Sequence, residues 1–127
     1  MIRISRDNLE AILVAVLSVN RYGADRAWKI LPDLREAGVA DPRTVTRLSL
    51  DDLTALLINA GYNRGPLNEM MATRVRLLME AAAGGELDPY DDLVAADQKD
   101  EAARLLRSIY GIGNWAANLA WDLRSRT

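Results

Sequence analysis

The chain has 127 residues, 16 basic and 18 acidic side chains and a formal net charge of −2, a length that fits a single domain over 1–127. It contains no cysteine and no histidine, which excludes disulfides, thiolate metal sites and histidine general bases. No apolar run is long enough to cross a membrane, and the N-terminus lacks the apolar centre of a secretory signal. We therefore expect a cytoplasmic protein with no metal site.

The charge is unevenly distributed along the chain. Residues 86–101 contain seven acids against one lysine, a net of −6, which leaves +4 for the rest of a chain whose total is −2. A basic face for a polyanion is compatible with this distribution if the acidic segment points elsewhere. Arginine outnumbers lysine fourteen to two, which is typical of a GC-rich genome, bacterial or phage.

The first half of the sequence carries only helix signals. Ser5 is a candidate N-cap for a first helix, whose apolar stripe includes Leu9, Ile12, Leu13, Val16 and Leu17. This helix is apolar on most sides, which predicts a central position in the domain. A second helix is predicted from Ala24 to Ala37 with Gly38 as its stop, and Asp41 should cap a short helix that begins at Pro42.

The second half continues the helical pattern. Ser49 should cap a helix that ends near Gly61, and Pro66 should begin a long helix that ends at the pair Gly84 and Gly85. Asp88-Pro89 should begin a short piece containing Leu93 and Val94, and Asp97 should cap a helix that runs to Ile109. Strand patterns are missing throughout, so the predicted fold class is all-α, a compact multi-helix domain.

The stretch "IYGIGNW" joins two predicted helices near the C-terminal end. Gly111 and Gly113 permit backbone angles that other residues avoid, and they leave peptide N–H groups uncovered. A helix that starts near Asn114 adds its own unpaired amides, and such a cluster suits a backbone phosphate. Ile112 can plug the turn into the groove between the helices. The pattern favours a helix-hairpin-helix element over a plain tight corner.

Three segments, in order, resemble the helix-hairpin-helix DNA glycosylase superfamily, which includes endonuclease III and the alkylpurine glycosylases. "LEAILVAVLSVN" is similar to the first core helix of that family, and "LLINAGYNRGPLNEMMATRVRLLME" is similar to its "GYNxKA" helix pair. "LLRSIYGIGNWAANLAW" is similar to its "LxxLPGIGxxTAxxxL" hairpin, with Tyr110 in place of the usual proline. The resemblance implies the helical core of these enzymes, and it implies a monovalent cation at the hairpin as the sole cofactor.

The departures from the family pattern bear on catalysis. The catalytic aspartate of the family follows the hairpin at the start of the next helix, and this sequence ends at Thr127 before that position. The lysine nucleophile of bifunctional members corresponds to Trp115 here. We therefore expect no catalytic residue and a protein that binds double-stranded DNA without excising a base. Two alternatives stay open: a minimal glycosylase that uses Asp122, and a protein-interaction module on a borrowed fold.

The predicted DNA contacts come from the hairpin and from matching positions of the other two segments. They are Tyr110, Gly111, Ile112, Gly113, Asn114, Trp115, Arg104, Arg107, Arg64 and Asn20.

Each contact outside the hairpin also has a structural interpretation. Asn20 aligns with a position that enters the space of a flipped nucleotide, or it simply closes a helix. Arg104 flanks the phosphate site or pairs with Asp100, and Arg64 is either a contact or an exposed loop residue.

The tryptophans and the C-terminal charges have structural interpretations as well. Trp28, Trp115 and Trp121 are expected to pack rather than to stack on bases. Asp122 is expected to be solvated or paired with Arg124 or Arg126, which otherwise form a short basic tail.

Overall fold

A computed structural model describes residues 2–124, and within that range the chain forms helices and turns without strands. The all-α expectation is confirmed for these residues. Arg126, which the sequence analysis placed in a basic tail, lies outside the described residues. The α-helices are α1 (Arg6–Leu17), α2 (Ala24–Lys29), α3 (Leu31–Ala37), α4 (Pro42–Val45), α5 (Leu50–Asn59), α6 (Asn68–Ala83), α7 (Tyr90–Ala95), α8 (Lys99–Arg107) and α9 (Asn114–Leu123), with a 3₁₀ turn at Gly65–Leu67.

Helix α1 lies at the centre of the domain, as its sequence predicts. Every residue from Leu9 to Leu17 is buried, and the helix packs against α2, α6 and α9. Its N-terminus is capped by Ser5, whose Oγ accepts a hydrogen bond from the amide of Asn8 at 3.2 Å. The position of α1 matters for the site, because its C-terminal end and the loop after it lie beside the start of α9.

Several predicted helix ends are confirmed by their hydrogen bonds. Asp41 accepts from the Arg43 amide at 3.0 Å, and Ser49 accepts from the Asp52 amide at 3.1 Å. Gly38 ends α3 in the left-handed conformation with φ +85°. These signals were readable in the sequence because each involves residues within about four positions of the helix end.

Three boundary predictions need correction. The single helix predicted from Ala24 to Ala37 is two helices that meet at Ile30, because Pro32 has no amide hydrogen and its ring crowds the carbonyl four residues earlier. Asp97 does not cap α8. It lies at φ +56° in the turn that closes α7, where the Gln98 amide donates to the Leu93 carbonyl. The long helix begins at Asn68, after the 3₁₀ turn that contains Pro66.

A buried carboxylate that the sequence analysis did not single out ties α1 to α3. Glu10 is 2% exposed, and Arg35 donates to its two carboxylate oxygens at 2.7 Å each. This hydrogen bond raises the pKa of the Arg35 guanidinium from its ordinary value. Arg6 adds a longer contact of 3.4 Å. The paired geometry compensates for the cost of removing a carboxylate from water.

None of the described helices combines the length and the apolar character that crossing a membrane requires.

Candidate functional site

The connection between α8 and α9 presents backbone amides that have no partner among the described residues. It runs over residues 108–113, and the Ile112 amide donates to the Ile109 carbonyl at 3.1 Å. The first helical bond of α9 runs from the Ala117 amide to the Gly113 carbonyl. The amides of Asn114 and Trp115 therefore precede the helical hydrogen-bond ladder, as the first amides of a helix do. Ile112 is 6% exposed and fills the space under the turn, as its position between the glycines predicts.

The two glycines of the connection are not equivalent. Gly111 has φ +94°, and a Cβ atom on it would lie 3.0 Å from Cγ of Arg74. Gly113 has φ −95° and ψ −175°, an extended conformation open to any residue, and a Cβ atom there would meet nothing within 4 Å. The prediction that both glycines need unusual backbone angles is therefore wrong for Gly113, whose contribution is open space beside the amides.

A groove opens on one side of the connection, which we call the α6 groove. Its floor and walls are Met70, Thr73, Arg74, Leu77 and the backbone of residues 110–113. The stem of Arg74 passes directly beneath Gly111, and none of the described residues forms an ion pair with its guanidinium. The α6 groove thus combines apolar walls with one cation next to the exposed amides.

A second groove opens between the start of α9 and the loop after α1. We call it the loop groove, and it is lined by Ser18, Asn20, Arg21, Gly23 and Trp115. Residues 110–113 line the α6 groove and Trp115, two residues further on, lines the loop groove, so both grooves adjoin the same connection.

The loop groove contains two consecutive residues with left-handed backbone. Asn20 has φ +59° and Arg21 has φ +69°, which is strained for residues with side chains. Arg64 holds this turn, since its guanidinium donates to the Val19 carbonyl at 2.9 Å and to the Asn20 carbonyl at 2.7 Å. Asn20 itself is exposed. The structure gives Arg64 a positioning role, while its direct contact with DNA stays a prediction.

Asn20 does not close α1, which corrects one of its two interpretations. The C-cap is Ser18, whose Oγ donates to the Val14 carbonyl at 2.5 Å.

An aromatic pair supports two arginines behind the loop groove. The rings of Tyr22 and Tyr62 meet edge to face with centroids 4.8 Å apart, and Arg26 and Arg64 lie 4.3 and 5.0 Å from the Tyr22 centroid. The Tyr62 hydroxyl donates to the Leu17 carbonyl at 2.7 Å. Burial raises the pKa of Tyr62 above its ordinary value, and the hydrogen bond from Arg64 opposes that rise.

The hairpin side chains predicted to contact DNA are exposed, apart from Ile112. Tyr110 is 83% exposed and Trp115 is 57% exposed, while Asn114 is exposed beside them. The expectation that Trp115 packs is therefore wrong. The same expectation is confirmed for Trp121, which is 8% exposed and has the Arg124 guanidinium 4.1 Å from its ring.

The two arginines of α8 lie apart from both grooves. Arg104 pairs with Glu101 at 3.3 Å rather than with Asp100, although both acids lie within about one turn on the same helix. Arg107 is exposed and forms no ion pair within the described range. Neither side chain lines the α6 groove or the loop groove.

Sequence reasoning missed Arg21 and Arg74, the cations that line the two grooves. Both lie far from it in sequence, and no local pattern marks them. The available signal was their place in segments that resemble the family, immediately after Asn20 and in the helix that follows "GYNRG".

Part of the acidic segment has a structural task. Asp91 accepts hydrogen bonds from the amide of Ser5 at 2.8 Å and from the side-chain amide of Asn8 at 2.8 Å, and Asp88 accepts from the Arg3 amide at 3.3 Å. These bonds attach the N-terminal residues to α7. Two of the seven acids in residues 86–101 therefore hold the N-terminal segment in place.

The described residues hold no group of three or more histidine, cysteine or acidic side chains arranged for a metal ion. The carbonyl oxygens of Tyr110, Gly111 and Ile112 accept no hydrogen bond from the described residues. Carbonyl oxygens are the ligand type that a monovalent cation takes in proteins, so the hairpin backbone fits the cation that the resemblance implies.

Comparison with protein-family models, with curated proteins and with solved structures finds no match to this chain. The likeness to the DNA glycosylases therefore rests on the three sequence segments alone.

Proposed function

We propose that this protein binds double-stranded DNA through its phosphate backbone, with the connection between α8 and α9 as the primary contact. The observation that carries the proposal is the set of exposed amides at Asn114 and Trp115, beside the open space over Gly113. Amides at a helix start donate to a phosphate, and the helix dipole favours the negative charge.

Binding of this kind has little sequence preference, since phosphate contacts position a protein without reading bases. Because few phosphates are neutralised, affinity is modest, and its logarithm falls with the logarithm of salt concentration with a slope of about −0.9 per phosphate. The exposed rings of Tyr110 and Trp115 add apolar contact area at the same surface.

In this proposal the protein binds without excising a base. Asp122, the acid that follows the hairpin in sequence, lies in the last turn of α9 and is exposed. A rise of 1.5 Å per residue places it roughly 12 Å along the helix axis from Asn114. This distance from the hairpin supports a surface role for Asp122 rather than a catalytic role in base excision.

The test replaces Gly113 and compares two variants in a fluorescence anisotropy titration with a short duplex. Gly113→Asp brings a carboxylate to the N-cap of α9, where it accepts from the same amides and repels phosphate. We expect it to lower affinity at least about tenfold at low salt. Gly113→Ala is the matched control, since its Cβ meets nothing and its backbone angles are ordinary. Equal affinity for the two variants, or wild-type affinity that ignores salt, would contradict the proposal.

A further inference from the structure

The α6 groove contains a cation that lies directly against the hairpin. A Cβ atom on Gly111 would lie 3.0 Å from Cγ, 3.6 Å from Cδ and 3.7 Å from Nε of Arg74, so the side chain passes the turn with its guanidinium next to it. Met70 and Leu77 line the same groove and add apolar contact area beside the charge.

The loop groove contains a second cation. Arg21 is exposed, and it follows Asn20 in the strained turn that Arg64 fixes. The two hydrogen bonds from Arg64 fix the backbone from which Arg21 projects, and Arg21 lines the loop groove together with Trp115.

Neither arginine forms an ion pair with a carboxylate of the described residues. Arg6, Arg35 and Arg104 form such pairs, and Arg21 and Arg74 are not among them. An arginine without a carboxylate retains its planar set of donors for an external anion, and phosphate matches that geometry.

We propose that Arg21 and Arg74 each bind a further backbone phosphate of the duplex, one on either side of the hairpin. This inference rests on the proposed function and extends it: the contact becomes a continuous surface from the loop groove across the hairpin to the α6 groove. The loop groove and the α6 groove then share one backbone-binding role, and two positions outside the sequence motif contribute to it.

The experiment measures the salt dependence of duplex binding for Arg21→Gln, Arg74→Gln and the double variant. Each single change should reduce the magnitude of the slope by about 0.9, and the double change by about 1.8. Between roughly 50 and 200 mM salt, the affinity of each single variant should fall about 3.5-fold less than the affinity of the wild type. Arg74→Lys retains a positive charge at this position and should therefore retain the wild-type slope.

Arg43→Gln is the matched control, because Arg43 is exposed and lines neither groove, and its neighbours Asp41 and Pro42 lie beside the N-terminal half of α1. The loop groove lies at the other end of that helix, roughly 17 Å away.

An unchanged slope in the double variant, with Gly113→Asp still lowering affinity as expected, overturns this inference and leaves the proposed function standing. A wild-type protein that shows no salt-dependent binding overturns both. A slope reduced equally by Arg43→Gln also overturns the inference, because the effect is then one of overall charge. Arg21 is exposed, so its variant decides its half of the inference even if Arg74→Gln fails to fold.

Discussion

Gly111 and Gly113 look alike in sequence, yet only Gly111 has a backbone conformation that favours glycine. Gly111 has a left-handed φ, and a Cβ atom on it would lie 3.0 Å from Cγ of Arg74, so a side chain there is strained and requires Arg74 to shift. Gly113 is extended and faces open space. Only the tertiary structure separates a glycine kept for conformation from a glycine that keeps a surface uncovered.

This difference predicts opposite outcomes for two alanine substitutions. We expect Gly111→Ala to lower the free energy of unfolding by about 1–2 kcal/mol, the cost of a left-handed residue with a side chain, and more if Arg74 fails to move. Gly113→Ala should change it by less than about 1 kcal/mol, since loss of a good N-cap residue is offset by a less flexible unfolded chain. Urea denaturation measures both, and equal losses would show that the two backbone conformations are not as described.

A second residue-scale prediction concerns alkaline pH. Burial raises the pKa of Tyr90 to about 12 from an ordinary value of 10.0, so the folded state favours the neutral phenol. The resulting stability is complete below pH 10 and is lost as the pH rises toward about 12. We expect the free energy of unfolding to fall by about 2–3 kcal/mol more over this range in the wild type than in Tyr90→Phe. Identical pH profiles for the two proteins would contradict the assignment.

At the scale of elements, the loop between α1 and α2 depends on a residue from another part of the chain. Arg64 follows α5, and it reaches back to the carbonyls of Val19 and Asn20 while also donating to the Tyr62 hydroxyl at 3.1 Å. The strained turn is thus stable only when the 3₁₀ region and the end of α1 are assembled together.

We therefore expect Arg64→Gln to destabilise the protein by about 1–3 kcal/mol, because two carbonyls and one hydroxyl lose charged donors. Thermal unfolding gives the magnitude. Hydrogen exchange should locate the effect at the Gly23 amide, which donates to the Ser18 carbonyl across the loop. Arg43→Gln serves as the surface control, and an equal effect of the two substitutions would argue against a positioning role for Arg64.

At the scale of the whole molecule, one buried cluster unites the helices from both ends of the chain. Helix α1 packs on α9, and the bonds from Ser5 and Asn8 to Asp91 attach the N-terminal segment to α7. Contacts between segments so distant in sequence couple the halves of the domain during unfolding.

This arrangement predicts a single cooperative transition. Far-ultraviolet circular dichroism reports the helices, while tryptophan fluorescence reports the buried Trp121 and its exposed counterpart Trp115. We expect the two denaturation curves to coincide. Separate midpoints would show that the parts of the chain unfold independently.

The sequence by itself determined the all-α class, the buried α1 and the caps at Ser5, Asp41 and Ser49, because these depend on periodicity and on bonds spanning a few residues. It also located the hairpin and its buried Ile112. Pro32 is also a local signal, because a proline without an amide hydrogen breaks the helix between α2 and α3.

Only the tertiary structure decided that Trp115 is exposed and that Arg64 holds a distant turn. It also decided that Arg21 and Arg74 line the two grooves beside the hairpin and form no carboxylate ion pair within residues 2–124. Which arginines pair with a carboxylate depends on the side chains brought close in space, and the packing of α1 against both α6 and α9 decides that. No spacing within one segment encodes such a relation between surfaces.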